Sequence, residues 1–383
     1  MTTPPDTTPP ATRPRIVVSG RGAVTGFGIG HGRFVDGLFA GENAIQPRRR
    51  TAGFDVPTGV AAEFPDDVLP RGLREPDQAF HVACLAAQEA LAEAREPERS
   101  GIGLVLASTK ADLSGVVDTG TGLGQPWRLA QRVAKELRLG GTCTAISCAC
   151  ASGLVALAQA ARSLQRGQCE RVLVVGVDVL YEFVMAGFGS LNALDPAPCR
   201  PFDAARRGVS LGEGAGALLL SRNARESIGV TLLGYGGAND ACHVTGPDRQ
   251  GAGIALAARR AIANAALDLA AIDFIHLHGT ATQANDATEA MGLARLFGGR
   301  TPPAFGTKGQ TGHTLGAAGV LETIAAIAAL QRAAVPANVG LQHSDVDQGL
   351  DLVRSVRPLA AARSALKVAS GFGGVQAALV LQA

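Results

Sequence analysis

Aromatic side chains are scarce, at 4% of 383 residues, with one Trp and two Tyr. A surface that stacks nucleic-acid bases needs such rings, and a net charge of +2 gives no electrostatic footprint for a phosphate backbone. Lys and Arg form no dense block beyond Arg48-Arg49-Arg50, so no nucleic-acid partner is expected. The seven cysteines (84, 143, 148, 150, 169, 199 and 242) contain no repeated C-x-x-C pair. Cys148-Ala149-Cys150 has no His near it in sequence, so no metal site is expected. An odd, scattered set in a long chain points to the reducing cytoplasm. Gly and charged residues interrupt every apolar stretch before the roughly 20 residues of a membrane span. The first fourteen residues, MTTPPDTTPPATRP, have no apolar core and read as a flexible tail rather than a signal peptide.

What remains is 46% apolar, 18% charged and rich in Gly (49 residues), the composition of a large close-packed α/β body. At 39.0 kDa the chain holds two ordinary domains or one duplicated one. Strands are expected at 16–20, 101–108, 171–177 and 211–220, and helices over 32–40, 77–94 and 128–137. A second set follows: strands at 230–234, 274–277, 303–306, 367–369 and 377–381, and helices over 251–266, 288–297 and 316–330. The repeated alternation suggests an internal duplication, with a tail at 1–14 and halves at 15–225 and 226–383. Gly20-x-Gly22 is no dinucleotide fingerprint, because later glycines are misplaced and no acidic residue follows at the required distance. The glycines of Gly212-Glu213-Gly214-Ala215-Gly216 read as sites of close backbone crossing.

The segment 145–177, AISCACASGLVALAQAARSLQRGQCERVLVVGV, organises the chain. Its Cys150 precedes Ala151-Ser152-Gly153 and a run of helix formers, which puts the thiol at a strand-to-helix junction. The amide donors and positive dipole end there are expected to favour thiolate. More than a hundred residues later, His278-Gly279-Thr280-Ala281-Thr282 follows a strand, and Lys308-Gly309-Gln310-Thr311-Gly312-His313 precedes a helix start. Either histidine alone fits a structural role. Both nevertheless sit where strands meet glycines, the place where open α/β sheets assemble sites. A cysteine nucleophile and two imidazole donors supply what thioester chemistry needs.

The motifs C-A-S-G at Cys150, H-G-T-A-T at His278, K-x-x-x-G-H at Lys308 and G-F-G-G at Gly371 together resemble the β-ketoacyl-acyl-carrier-protein synthases of the thiolase superfamily. R-P-F-D at Arg200, G-E-G-A-G at Gly212, D-A-x-H-x-T at Asp240 and N-D-x-x-E at Asn285 extend the resemblance from Arg15 to the last residues. It implies a thiolase-like fold, with duplicated halves stacked as five α-β-α-β-α layers with mixed sheets. It also implies decarboxylative Claisen condensation of an acyl thioester with malonyl-acyl-carrier protein, in fatty acid or polyketide biosynthesis. Cys150 would accept the acyl chain from a phosphopantetheine thioester, with no bound cofactor. His278 and His313 would hydrogen-bond the malonyl thioester carbonyl, Lys308 would orient them, and Glu322 would be its ion partner. The Cys150 and Phe372 amides would form the oxyanion hole, with Phe372 and Gly373 in the gate. Thr280 and Thr282 would bind the pantetheine arm, and Asp286 and Glu289 would support the site.

Two departures bear on substrate: Ser370 stands where the family has an aromatic, and Gln376 where Asn is usual. The implied partners are acyl carrier protein and a second subunit, in a homodimer or a heterodimer with a ketosynthase-like chain. The segment 110–139 is shorter than in housekeeping synthases, and Thr109-Lys110 after the strand resembles specialised, aryl-polyene-like ketosynthases. Two alternatives stay open: a ketosynthase-like acyltransferase or cyclase, and a specificity subunit for another synthase. The default for Arg206 and Arg207 is a solvated pair.

Overall fold

Largely apolar stretches of eight to ten residues suit strands covered on both faces, and the strands Ile16–Thr25, Arg171–Asp178 and Gly214–Arg222 are buried along most of their length. The structure, a computed structural model, describes residues 14–73, 75–96, 98–111, 125–223, 227–346 and 349–383. Most of the tail expected at 1–14, and part of the segment 110–139, lie outside the described residues.

The first half contributes β1 (Ile16–Thr25), β2 (Ile102–Ala107), β3 (Cys143–Ile146), β4 (Arg171–Asp178) and β5 (Gly214–Arg222), in the order β1-β5-β4-β2-β3. The second contributes β6 (Thr231–Asn239), β7 (Phe274–His276), β8 (Pro303–Phe305), β9 (Ser364–Gly371) and β10 (Val375–Gln382), in the order β6-β10-β9-β7-β8. The two orders are the same permutation. Their pairings match too: antiparallel between first and last strands and between the last two, parallel for the rest. This repeat of topology is the duplication that sequence identity between the halves is too low to reveal. The sheets meet where Val17 pairs with Thr231.

Helices complete the layers: α1 (His31–Phe39), α2 (Glu75–Glu93), α3 (Pro126–Glu136), α4 (Ser152–Gln165), α5 (Glu182–Ser190), α6 (Ala252–Asn264), α7 (Gln283–Leu296) and α8 (Ala318–Arg332). Helices α4 and α8 lie between the sheets and share one apolar core with their inner faces. Helices α2 and α3 cover the outer face of the first sheet, and α6 and α7 that of the second. The expected five layers are therefore present. The two central helices cross at glycines: a Cβ on Gly319 would lie 2.5 Å from Leu154 N, and one on Gly153 would lie 2.8 Å from Gly319 Cα. The stretch Leu315–Arg332 has the length and hydropathy of a membrane span, but 89% of it is buried between the sheets.

Element boundaries depart from expectation where polar residues hide them. Helix α7 starts at Gln283 rather than 288, because the Thr282 side chain accepts from Asn285 N and caps a polar first turn. Strand β6 runs on to Asn239 through glycines that α6 covers; a Cβ on Gly236 would lie 2.3 Å from Ala257 O. Helix α5 was not expected, since its nine residues carry no clear apolar stripe.

Candidate active site

Strand β3 ends at Ile146 and α4 begins at Ser152, and the turn between them is tight. Ala149 takes a left-handed φ of 49°, which costs a non-glycine residue energy and turns the next residue sharply. The Ser152 hydroxyl accepts from Cys148 N (2.8 Å) and donates to Ala149 O (2.5 Å), tying the turn to the first turn of α4. Cys150, at the apex, is 7% exposed and lines a cavity of about 480 Å³. The thiolate expected from the helix terminus is not the resting form. Burial pushes the thiol up to about 12, against the opposing pull of Lys308 and Lys110, so desolvation outweighs the nearby positive charge.

His278 and His313 line the same cavity, their rings edge to face with centroids 5.5 Å apart. Burial, and then the Lys308 ammonium, hold His278 well below its usual range and His313 down to about 3, so both are neutral at physiological pH. Lys308 is fully buried and donates to His278 O (2.5 Å), Glu322 Oε1 (2.5 Å) and His278 Nδ1 (3.3 Å). An ammonium only donates, so Nδ1 is the acceptor and the ring proton of His278 sits on Nε2. Neither ring nitrogen of His313 has a hydrogen-bond partner among the described residues, while its backbone is fixed by His313 N donating to Ser210 O (2.7 Å). The glycine motif makes this stitching possible: a Cβ on Gly212 would lie 2.2 Å from Thr311 O. The residue between its first two glycines, Glu213, is buried and accepts from Leu180 N, Phe64 N and Arg50.

Two carboxylates of α7 hold the loop that carries His278. Glu289 accepts from His278 N (2.6 Å) and Gly279 N (2.8 Å), and Asp286 from Thr280 N, Ala281 N and Phe202 N. Burial raises both, Glu289 to about 7. Thr280 and Thr282 line the cavity with their hydroxyls 2.9 Å apart.

The hairpin between β9 and β10 forms the facing wall. Its Gly371 crosses the cysteine turn so closely that a Cβ would lie 2.9 Å from Cys148 O, and Gly373 and Gly374 take φ of 81° and 77°. Phe372 is 37% exposed and stacks on Phe188 of α5, with centroids 5.8 Å apart. Gly373 N donates to Val244 O (2.7 Å). Ser370 and Gln376 also line the cavity; the Ser370 hydroxyl donates to Gln376 Oε1 (2.6 Å), and Gln376 Nε2 donates to Asp240 (2.8 Å).

Of the site residues expected from the sequence, Cys150, His278, His313, Thr280, Thr282, Ser370 and Phe372 line this cavity, Lys308, Asp286 and Glu289 bond to the His278 segment, Glu322 pairs with Lys308, and Gly373 is beside the wall rather than in it. The solvated arginine pair needs correction. Arg206 is buried, its guanidinium held by Asp203 O and Asp345, whereas Arg207 stands at the cavity mouth. His243 is a turn residue, with Nδ1 accepting from Thr245 N and Gly246 N. Lys367 and His276 went unnoticed in sequence. Lys367 Nζ lies 2.7 Å from Glu322 Oε2, and its strand neighbour His276 is fully buried. A lone lysine in the apolar strand SALKVASG was the available signal.

Fold and site together define a condensing enzyme of the thiolase type. The chain matches the description "Beta-ketoacyl synthase, N-terminal domain" over residues 13–226 and "Beta-ketoacyl synthase, C-terminal domain" over residues 230–342. It is 32% identical to nodulation protein E of Rhizobium meliloti (strain 1021), over 96% of this chain and 99% of that protein. It is 29% identical to 3-oxoacyl-acyl-carrier-protein synthase 2 of the same organism, over 96% of this chain and 98% of that protein. Among solved structures it superposes on the ishigamide ketosynthase/chain length factor with a TM-score of 0.87 and 31% identity, covering 97% of this chain and 99% of the other. The chain belongs to the β-ketoacyl synthase family.

Proposed function

We propose that this protein condenses an acyl group held on Cys150 with a malonyl group delivered by acyl carrier protein, releasing carbon dioxide. The observation that carries this reading is a single cavity lined by a cysteine at a strained turn and two imidazoles kept neutral beside a buried ammonium. In the first half-reaction the Cys150 sulfur gives up its proton and attacks the acyl thioester carbonyl. The carbon–sulfur bond to the carrier breaks, and the carrier leaves as a thiol that takes the proton. Backbone N–H groups of Cys150 and Phe372 hold the oxyanion. In the second, the malonyl carboxylate leaves as carbon dioxide and its bonding pair forms an enolate, whose oxygen accepts from His278 and His313. The enolate carbon attacks the acyl-Cys150 carbonyl, the carbon–sulfur bond breaks, and the sulfur takes up a proton.

Neutral imidazoles suit this role because each keeps one ring N–H to donate to the developing oxyanion without a further buried cation beside Lys308. Lys308, paired with Glu322, fixes the tautomer of His278. Thr280 and Thr282 bind the pantetheine arm, and Ser370 with Gln376 shapes the wall the acyl or malonyl unit meets. The halves 15–225 and 226–383 contribute the nucleophile and the histidines respectively. The family likeness to a ketosynthase/chain length factor assembly supports a dimer, either with a second copy or with a ketosynthase-like chain. Seven free cysteines agree with a cytoplasmic setting. A specificity subunit has no use for the thiol that Cys150 retains.

Mass spectrometry after incubation with an acyl-carrier thioester tests the assignment together with release of labelled carbon dioxide from malonyl-carrier. Cys150→Ala abolishes acyl loading. His313→Ala still loads but condenses at least about 100-fold more slowly, the loss typical of one oxyanion donor. Loading of Cys150→Ala at the wild-type level refutes the reading. Acyl transfer without carbon dioxide release points instead to an acyltransferase or cyclase.

A further inference from the structure

Behind the cavity wall two lysines share one carboxylate. Lys308 Nζ is 2.5 Å from Glu322 Oε1, and Lys367 Nζ is 2.7 Å from Glu322 Oε2; both ammonium groups are fully buried. Within this triad Lys308 and Glu322 cancel, and Lys367 leaves one positive charge in excess, opposed from outside the triad by Glu289, itself raised to about 7 by burial. That surplus is costly to bury and must be offset by something. Part of the offset is backbone: Lys367 donates to Val368 O (2.5 Å) and Leu277 O (3.3 Å), while Lys308 donates to His278 O (2.5 Å), so the two ammonium groups grip successive carbonyls of the segment that carries His278.

We propose that Lys367 is a positioning residue for the decarboxylation step, supplying the surplus positive charge behind His278 and His313 toward which the enolate's negative charge develops. The proposal rests on the condensing-enzyme reading above. Lys367 does not touch the cavity; it acts through Glu322, through the Leu277 carbonyl and through its field on both imidazoles. The charged or titratable groups facing it are Glu322 on α8, Lys308 on the one-turn helix Lys308–Thr311, His276 on the neighbouring strand and Glu289 on α7. His276 is itself held neutral by burial and then by Lys367, and its Nε2 has no partner among the described residues, so it offers Lys367 no counter-charge. Acyl loading of Cys150 develops its charge at the backbone amides, so the surplus matters less to that half-reaction.

Burial, partly opposed by Glu322, lowers Lys367 to about 8. The sign follows: the extra charge is present below that pH and lost as pH rises through it. Release of carbon dioxide from malonyl-carrier by the wild-type protein, measured at saturating substrate, should therefore fall between about pH 7 and 9. Lys367→Met should be roughly tenfold slower at pH 7, from one unit charge lost a few ångströms behind the site. It should also show no alkaline fall, and octanoyl loading of Cys150 should stay at the wild-type level. Lys367→Arg, which stays charged, should restore the rate and hold it through pH 9. A Lys367→Met protein with the wild-type rate and the wild-type alkaline fall overturns the proposal. If Lys367→Met proves unfolded by circular dichroism, Lys367→Arg decides alone: an alkaline fall unchanged from wild type overturns it. Absence of carbon dioxide release from the wild-type protein overturns the condensation reading itself, and the role of Lys367 with it.

Discussion

A buried imidazole that stays neutral leaves a signature in folding as well as in chemistry. His313 is held down to about 3, whereas a histidine in the unfolded chain titrates near 6.5. Between those values the unfolded chain binds a proton that the folded one refuses. The stability contributed is full above about pH 6.5 and is lost as pH falls toward about 3. His278 adds a second such slope. His313→Asn should flatten the fall in unfolding free energy between pH 4 and 6 by about 1.4 kcal/mol per pH unit, read from urea denaturation at each pH. Glu322 behaves differently. Held down to about 2 by its two lysines against the opposing cost of burial, it stays ionised throughout that window. Glu322→Ala leaves two buried cations without their carboxylate and should lower stability by about 3–5 kcal/mol. At this scale the sequence announced the sulfur, the two rings and Lys308 through motifs, and Glu322 through the family resemblance those motifs carry. It hid Lys367 and His276, because nothing in a linear chain marks a lysine on β9 as the strand neighbour of a histidine on β7.

Elements place these groups through close approaches that only glycine permits. Gly371 lets the gate hairpin lie against the cysteine turn, and a methyl there meets Cys148 O at 2.9 Å and Ala151 N at 3.1 Å. Gly371→Ala should push the Phe372 loop away from Cys150 and cut acyl loading about tenfold or more, because misplacement by an ångström is that costly to a site. The melting temperature should change little, since the hairpin end lies at the molecular surface. Gly319→Ala is the contrasting case. Its methyl meets Leu154 N at 2.5 Å at the crossing of α4 and α8, inside the shared core. It should destabilise the fold by about 1–3 kcal/mol, measured by denaturation midpoint, as overpacking does elsewhere. The periodicity of α4 and α8 was visible in the sequence. Their contact was not, because glycines read equally as breakers and as contact points.

On the scale of the whole molecule, the same five-strand permutation occurs twice, and the second copy turns its corresponding helix, α8, against α4 of the first. Strand β3 ends the series on the first-half side, and its Cys143 and Thr144 are exposed. An edge strand presents unpaired backbone groups that invite another strand. A second copy of this chain is expected to pair through this edge. If the dimer is formed by two copies, Thr144→Lys should convert a species of twice 39.0 kDa into one of 39.0 kDa in analytical ultracentrifugation, by placing charge on the pairing strand; a wild-type chain that sediments as a monomer alone points to the heterodimer instead.

The sequence by itself determined the α/β class, the alternation of strands and helices, the family and the motif-borne side chains, because each of these is written in local spacing and in residues whose chemistry has few substitutes. The tertiary structure decided the rest. Burial makes Cys150 a resting thiol although it stands beside a helix start. Asp203 O and Asp345 hold Arg206 inside, and the register of β7 against β9 brings a second lysine to Glu322. Desolvation and the pairing of distant strands depend on what surrounds a group in space, and that is set only once the two halves have closed on one another.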